Sequence, residues 1–156
     1  MSVQRRPRRV RGRGHDEFWA FCEAGELRMQ RCKDCGHVQW PPVPDACERC
    51  ELAVLEWERL SGTGQIVSWC TFERSYYPDL PVPWDTILVE LEEGPLFISN
   101  PDGFTNEEVR INMPVRVTFV DCEDETGRFR LPAFEPVGPA GPKNQKGPQD
   151  ETASTA

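Results

Sequence analysis

The stretch RCKDCGHVQWPPVPDACERC, residues 31–50, sets two Cys-x-x-Cys pairs, Cys32/Cys35 and Cys47/Cys50, eleven residues apart. Each pair can turn its sulfurs to one side of a tight turn, and two such knuckles face to face supply the four thiolates that tetrahedral zinc prefers. Four thiolates saturate the ion, so the expected zinc is structural and not catalytic. Iron needs a similar ligand set and is the weaker alternative. Gly36 follows Cys35 and suits the positive φ such a turn demands, whereas Glu51 holds the matching place after Cys50, which predicts a strained or looser second knuckle.

Outward from the ribbon, composition favours strands. The chain has 156 residues, 38% of them apolar, with fifteen prolines and twelve glycines, which fits short strands and many turns. It carries seven cysteines, an odd count that fits thiols and a metal better than a disulfide framework. No apolar run approaches the roughly 18 residues that span a bilayer, and none follows the basic start as in a secretory signal. The expectation is a cytoplasmic protein with no membrane part.

Charge is uneven. Of 18 basic residues, six arginines lie within the first 13 positions, leaving 12 against 26 acids from residue 14 on. Such a body repels polyanions. The arginine segment has almost no apolar content and reads as a mobile, solvated arm.

In HDEFWAFCEAGE, Asp16 is placed to cap a short helix, Phe18, Phe21 and Cys22 share one face, and Gly25 can end it. LRMQRC, HVQW and LEWERL read as short strands of the ribbon. QIVSWCTFE follows, with Ile66, Ser68, Cys70 and Phe72 expected on one side, then TILVELEE, PLFISN, VRVTFVD and RFRLPAFEP. Three strands, a short polar connection at FTNEEVRINM and two more strands give the order of a five-stranded Greek-key barrel, the OB-fold. The expected organisation is 1–14 disordered basic arm, 15–60 helix plus zinc ribbon, 61–137 OB-fold and 138–156 disordered tail, mostly β throughout.

Catalytic residues are not evident. The two histidines, His15 and His37, have no nucleophile and orienting acid beside them, and no phosphate loop, nucleophile elbow or dinucleotide fingerprint occurs. Cys22, Cys70 and Cys122 sit among apolar neighbours and read as core. The loop ERSYYPDLPVPWD brings Tyr76, Tyr77 and Trp84 on a backbone stiffened by three prolines, which serves equally as an interface anchor or as a cover for the barrel mouth. Trp40 is either the ribbon's own small core or an exposed docking ring.

FWAFCEAGELRMQRCKDCGHVQWPP, LEWERLSGTGQIVSW, LVELEEGPLFISN, VRINMPVRVTF and LPAFEP, in that order, closely resemble the acyl-CoA-associated zinc-ribbon and OB-fold proteins long catalogued as a domain of unknown function. The resemblance runs from about residue 16 to 137. It implies a helix, a rubredoxin-like zinc ribbon and an OB-fold, with Cys32, Cys35, Cys47 and Cys50 as zinc ligands. It further implies a hetero-oligomer with a thiolase-superfamily enzyme and acyl-CoA at or near the interface. The aromatic rings of Trp40, Tyr76, Tyr77 and Trp84 are the candidate contacts. In steroid degradation similar domains assist a retro-aldol step.

Two alternatives stay open on sequence. An OB-fold nucleic-acid binder would use the arginine arm, but TILVELEEGPLFISN offers Phe97 amid acids, the wrong face for phosphate. A free-standing acyl-CoA-binding protein would meet phosphates with Arg74, Arg110, Arg116 or the arm.

Overall fold

The computed structural model describes residues 3–138, apart from 44 and 53. The tail expected to be disordered lies, from residue 139 on, outside the described residues. The elements are β1 (Gln4–Arg5), α1 (His15–Glu23), β2 (Arg28–Cys32), β3 (Val38–Gln39), β4 (Leu55–Arg59), β5 (Thr63–Phe72), β6 (Trp84–Leu91), β7 (Leu96–Ser99), β8 (Met113–Asp124) and β9 (Gly127–Pro136). Among the described residues the chain is mostly β with one short helix. No helix among the described residues is long and apolar enough to cross a membrane.

Two sheets form. β2 lies between β3 and β4 in the ribbon, while β8, β5, β6 and β7 run side by side in the barrel with β9 on the other edge of β8. Phe134 closes the ring: its amide donates to the Asn100 carbonyl at 3.1 Å and its carbonyl accepts from Asp102 at 2.7 Å. The Ser99 hydroxyl adds a bond of 2.9 Å to the Pro132 carbonyl. β7 is thereby joined to β9 and the sheet has the OB-fold order. Ile66, Ile87, Val89, Val115 and Phe134 are fully buried inside it. Gly64 permits the close β5–β6 approach, since a Cβ there would stand 2.5 Å from the Glu90 carbonyl oxygen.

One register detail reverses an expected face. A bulge between Ile66 and Ser68 shifts the pairing from Ile66 opposite Val89 to Ser68 opposite Leu88. Because side chains alternate along a strand, one extra residue turns Ser68, Cys70 and Phe72 outward while Ile66 stays in the core. Cys70, expected in the core, is exposed, whereas Cys22 and Cys122 are buried as read from sequence. Burial pushes the Cys22 thiol up to about 12.

The helix is capped differently from expectation. Gly14 precedes it and donates its amide to the Glu17 carboxylate at 2.7 Å. Asp16 instead accepts from Arg11 at 2.6 Å. Gly25, at φ 75°, ends the helix, with Glu26 donating to the Phe21 carbonyl and Gly25 to that of Cys22, a Schellman closure. Phe18 then joins helix, ribbon and barrel: its ring centroid is 4.2 Å from that of Trp40, which lies 5.2 Å from Phe97.

The basic arm is the largest departure from the sequence reading. Gln4 and Arg5 pair in parallel with Cys122 and Glu123 of β8. Arg9 is sunk between Phe129, 4.4 Å from its guanidinium carbon, and Trp19, at 5.9 Å, and its amide donates to the Asp124 carboxylate at 3.0 Å. Trp19 in turn donates to the Val10 carbonyl at 2.8 Å. An arginine stem and planar head can cover apolar surface much as an apolar side chain does, so low apolar content did not leave residues 3–14 free.

Candidate metal centre

β2, β3 and β4 present the two knuckles to each other. In the first, the Cys32 amide donates to the His37 carbonyl at 2.9 Å and Gly36 donates back to the Cys32 carbonyl at 2.9 Å. In the second, Cys47 donates to Leu52 at 3.0 Å and Glu51 donates to Cys47 at 2.8 Å. The two turns repeat one hydrogen-bond pattern, and the pattern asks for positive φ one residue past each second cysteine. Gly36 has φ 72° and Glu51 φ 62°. The second knuckle is therefore not looser; it holds a glutamate in a conformation that costs a residue with a Cβ roughly 1–2 kcal/mol. Glu51→Gly is expected to raise stability by up to about 1 kcal/mol, less than the full strain because glycine also loosens the unfolded chain. Chemical denaturation of the metal-loaded protein checks this, and a loss of stability would contradict it.

The four sulfurs lie within 4.8 Å of one another. Cys32 to Cys50 is 3.5 Å and Cys35 to Cys47 is 3.7 Å, close to the edge of about 3.8 Å that a tetrahedron of thiolates around zinc would have. Cys32 and Cys47 are buried, Cys50 is partly covered and Cys35 is exposed. The Arg49 amide aims at the Cys47 sulfur at 3.4 Å. The Cys35 amide, helped by that of Asp34, brings the Cys32 thiol down to about 7. At Cys50 the Leu52 amide works the same way, but desolvation and the other three sulfurs outweigh it and raise the thiol to about 12. A cation is what makes four adjacent thiolates tolerable, and its binding releases protons. The residues present fit a tetrahedral metal held by Cys32, Cys35, Cys47 and Cys50.

A buried amide pair, which sequence reasoning missed, braces this site from behind. Gln30 and Gln39 are opposite each other on β2 and β3. The Gln30 side-chain oxygen accepts from the Val43 amide at 2.8 Å, and that of Gln39 accepts from the Glu48 amide at 3.0 Å, so the middle of the linker and the second knuckle itself are both fastened to the first hairpin. His37 and Glu48 meet at 2.8 Å across the two knuckles. No local signal marks the two glutamines, since β2 also carries Arg28 and Arg31.

The aromatic candidates separate. Trp40 turns inward against Phe18 and Phe97, while Tyr76 and Tyr77 are 70% and 54% exposed. Trp84 is half-buried beneath Arg6, whose guanidinium carbon is 4.4 Å from its ring. The structure does not gather them into one cluster.

Family models match both halves in series: the rubredoxin-like zinc ribbon domain of ChsH2 over residues 19–53, and its C-terminal OB-fold domain over 57–120. A solved structure described as the Ltp2-ChsH2(DUF35) aldolase superposes with a TM-score of 0.72 at 27% identity, covering 84% of this chain and all of the matched chain. The chain belongs to the DUF35 family. Among similar curated proteins, the 3-oxo-4,17-pregnadiene-20-carboxyl-CoA hydratase alpha subunit of Mycobacterium tuberculosis is 36% identical over 76% of this chain and 36% of its own length. A DUF35 domain-containing scaffold protein of Pyrococcus furiosus is 28% identical over 64% of this chain and 74% of its own. The chain spans 36–41% of the length of the curated hydratase subunits it matches.

Proposed function

We propose that this DUF35 chain is a non-catalytic accessory subunit that binds and stabilises a thiolase-fold enzyme acting on acyl-CoA thioesters, with a retro-aldol step in steroid side-chain degradation as its reaction. The observation that carries this reading is the match along the whole of the DUF35 component of an aldolase. The scaffold and hydratase-subunit relatives support a partner role as well. The metal is zinc, held as a structural clip by four thiolates that leave it no position for substrate. The protein works in the cytoplasm, where its thiols stay reduced. The nucleic-acid alternative gains nothing from the barrel, whose outward β6 and β7 residues include Leu88, Glu90, Leu96 and Ile98.

Affinity capture of the full chain from its native cells, with identification of the bound protein, tests this. The expected partner is a thiolase-fold enzyme that is insoluble or inactive when produced alone, while the isolated chain turns over no CoA thioester. A partner fully active without this chain would overturn the reading.

A further inference from the structure

The bulge that turns Phe72 outward also aligns it with an apolar face on the neighbouring strands. Ser68 pairs with Leu88, and Leu88 pairs with Ile98. One row on, Gln65 pairs with Glu90 and Glu90 with Leu96; in the other direction Phe72 pairs with Trp84. Ile98 is 70% exposed, Leu96 52% and Phe72 41%, although β7 has only four residues. Tyr76 extends the face, its ring 6.4 Å from that of Phe72 and perpendicular to it. Adjacent apolar side chains this exposed mark an interaction site in a water-facing protein.

The hairpin end that carries Phe72 is also held in place. The Asn106 side-chain amide donates to the Cys70 carbonyl at 2.8 Å and to the Thr71 hydroxyl at 3.1 Å. Thr71 donates to the Asp85 carboxylate at 2.7 Å, and the Asn106 amide donates to its other oxygen at 2.9 Å. A surface already ordered loses little freedom on docking. Its exposed charges are mostly acidic: Glu90 on the face and Glu73 and Glu92 at its border, with Arg74 beside Glu73. A complementary surface is apolar at its centre and basic at its rim.

We propose that this outward face of β5, β6 and β7, centred on Leu88, Leu96 and Ile98 and continued by Phe72, Tyr76 and Tyr77, seats the acyl-CoA enzyme subunit through an apolar patch ringed by basic side chains. The inference rests on the partner reading above and assigns it a surface. The probe is the enzyme subunit captured and identified from native cells, then purified. With it, Ile98→Asp is expected to weaken binding by at least roughly 30-fold, the scale of an interface hot spot. Ile111→Asp, in the β7–β8 connection and also well exposed at 63%, is expected to leave affinity unchanged. Both variants should melt like the wild type, since neither side chain is buried.

The outcomes separate. Wild-type affinity for Ile98→Asp overturns the surface and leaves the partner reading standing. Equal losses in both variants also overturn it, because the effect would then be general charge. If the chain alone forms a dimer that Ile98→Asp dissolves while enzyme binding persists, the face belongs to a second copy and the proposal falls. Failure of the wild-type chain to bind any acyl-CoA enzyme removes both readings together.

Discussion

Cys47→Ser is expected to strip the chain of its metal and unfold the ribbon, the largest single effect available in this molecule. The ribbon has little else to hold it. β3 is two residues long, and among the described residues the ribbon's buried apolar contribution to the core is Leu27, Met29, Val38 and Leu60 besides the cysteines. A sheet that small does not offset the ordering of about thirty residues without an additional tie. Structural zinc supplies about 10–16 kcal/mol in small zinc-binding peptides, on the scale of a whole domain's stability. Cys47 is a deeply placed ligand, since it is buried, its amide is tied to Leu52 and its sulfur receives the Arg49 amide. Serine offers a hard, protonated oxygen in place of a soft thiolate. Metal content measured on the purified protein should fall from one ion per chain to none, tryptophan fluorescence should shift toward that of exposed indoles, and binding to the proposed enzyme partner should be lost. A Cys47→Ser chain that keeps its ion or its complex would show that the clip reading is wrong. Cys22→Ser, away from the cluster, should keep the metal.

Much of this architecture was legible because it rests on signals the chain displays locally. Cysteine spacing announces the metal site, period-two alternation the five barrel strands, and Gly25 the helix end. What escaped was set by contacts distant in sequence or by a single-residue slip. The bulge after Ile66 leaves no mark in composition, yet it moved Cys70 and Phe72 from the predicted inner face to the outer one. Glu51 could be recognised as an unusual residue for its position, but only the repeated hydrogen bonds of the two knuckles show that the backbone overrides its preference. Gln30 and Gln39 look like ordinary surface residues until β2 and β3 pair and bury them. The arm escaped for a third reason: its ordering depends on Phe129 and Asp124, more than a hundred residues away, and no local pattern reports such partners.

Arg9 turns that last point into a strong test. Its side chain is 9% exposed and that of Asp124 is 0% exposed, with the guanidinium Nε 3.5 Å from the carboxylate. Burial alone would raise the Asp124 carboxyl, but the Thr126 hydroxyl, the Arg9 and Thr126 amides and the Arg9 charge outweigh it and hold it below the usual carboxylate range. Removing the cation would leave a buried anion with no opposite charge, a change that costs about 3–5 kcal/mol in buried pairs. Arg9→Ala is therefore expected to lose about that much at neutral pH, whereas Arg8→Ala, whose partner Glu125 is also well exposed, should change stability by less than about 1 kcal/mol. The pH dependence has a definite sign. A carboxyl whose folded value is depressed contributes stability above its unfolded value of about 3.9, and that contribution fades as pH falls through the folded value. The gap between wild type and Arg9→Ala should thus be widest near neutrality and shrink in acid, as read by urea unfolding at both pH values. Arg9→Lys, which keeps a charge but not the flat head over Phe129, should fall between the two. A small, pH-independent cost for Arg9→Ala would mean that the arm only rests on the barrel and does not fasten α1 to it.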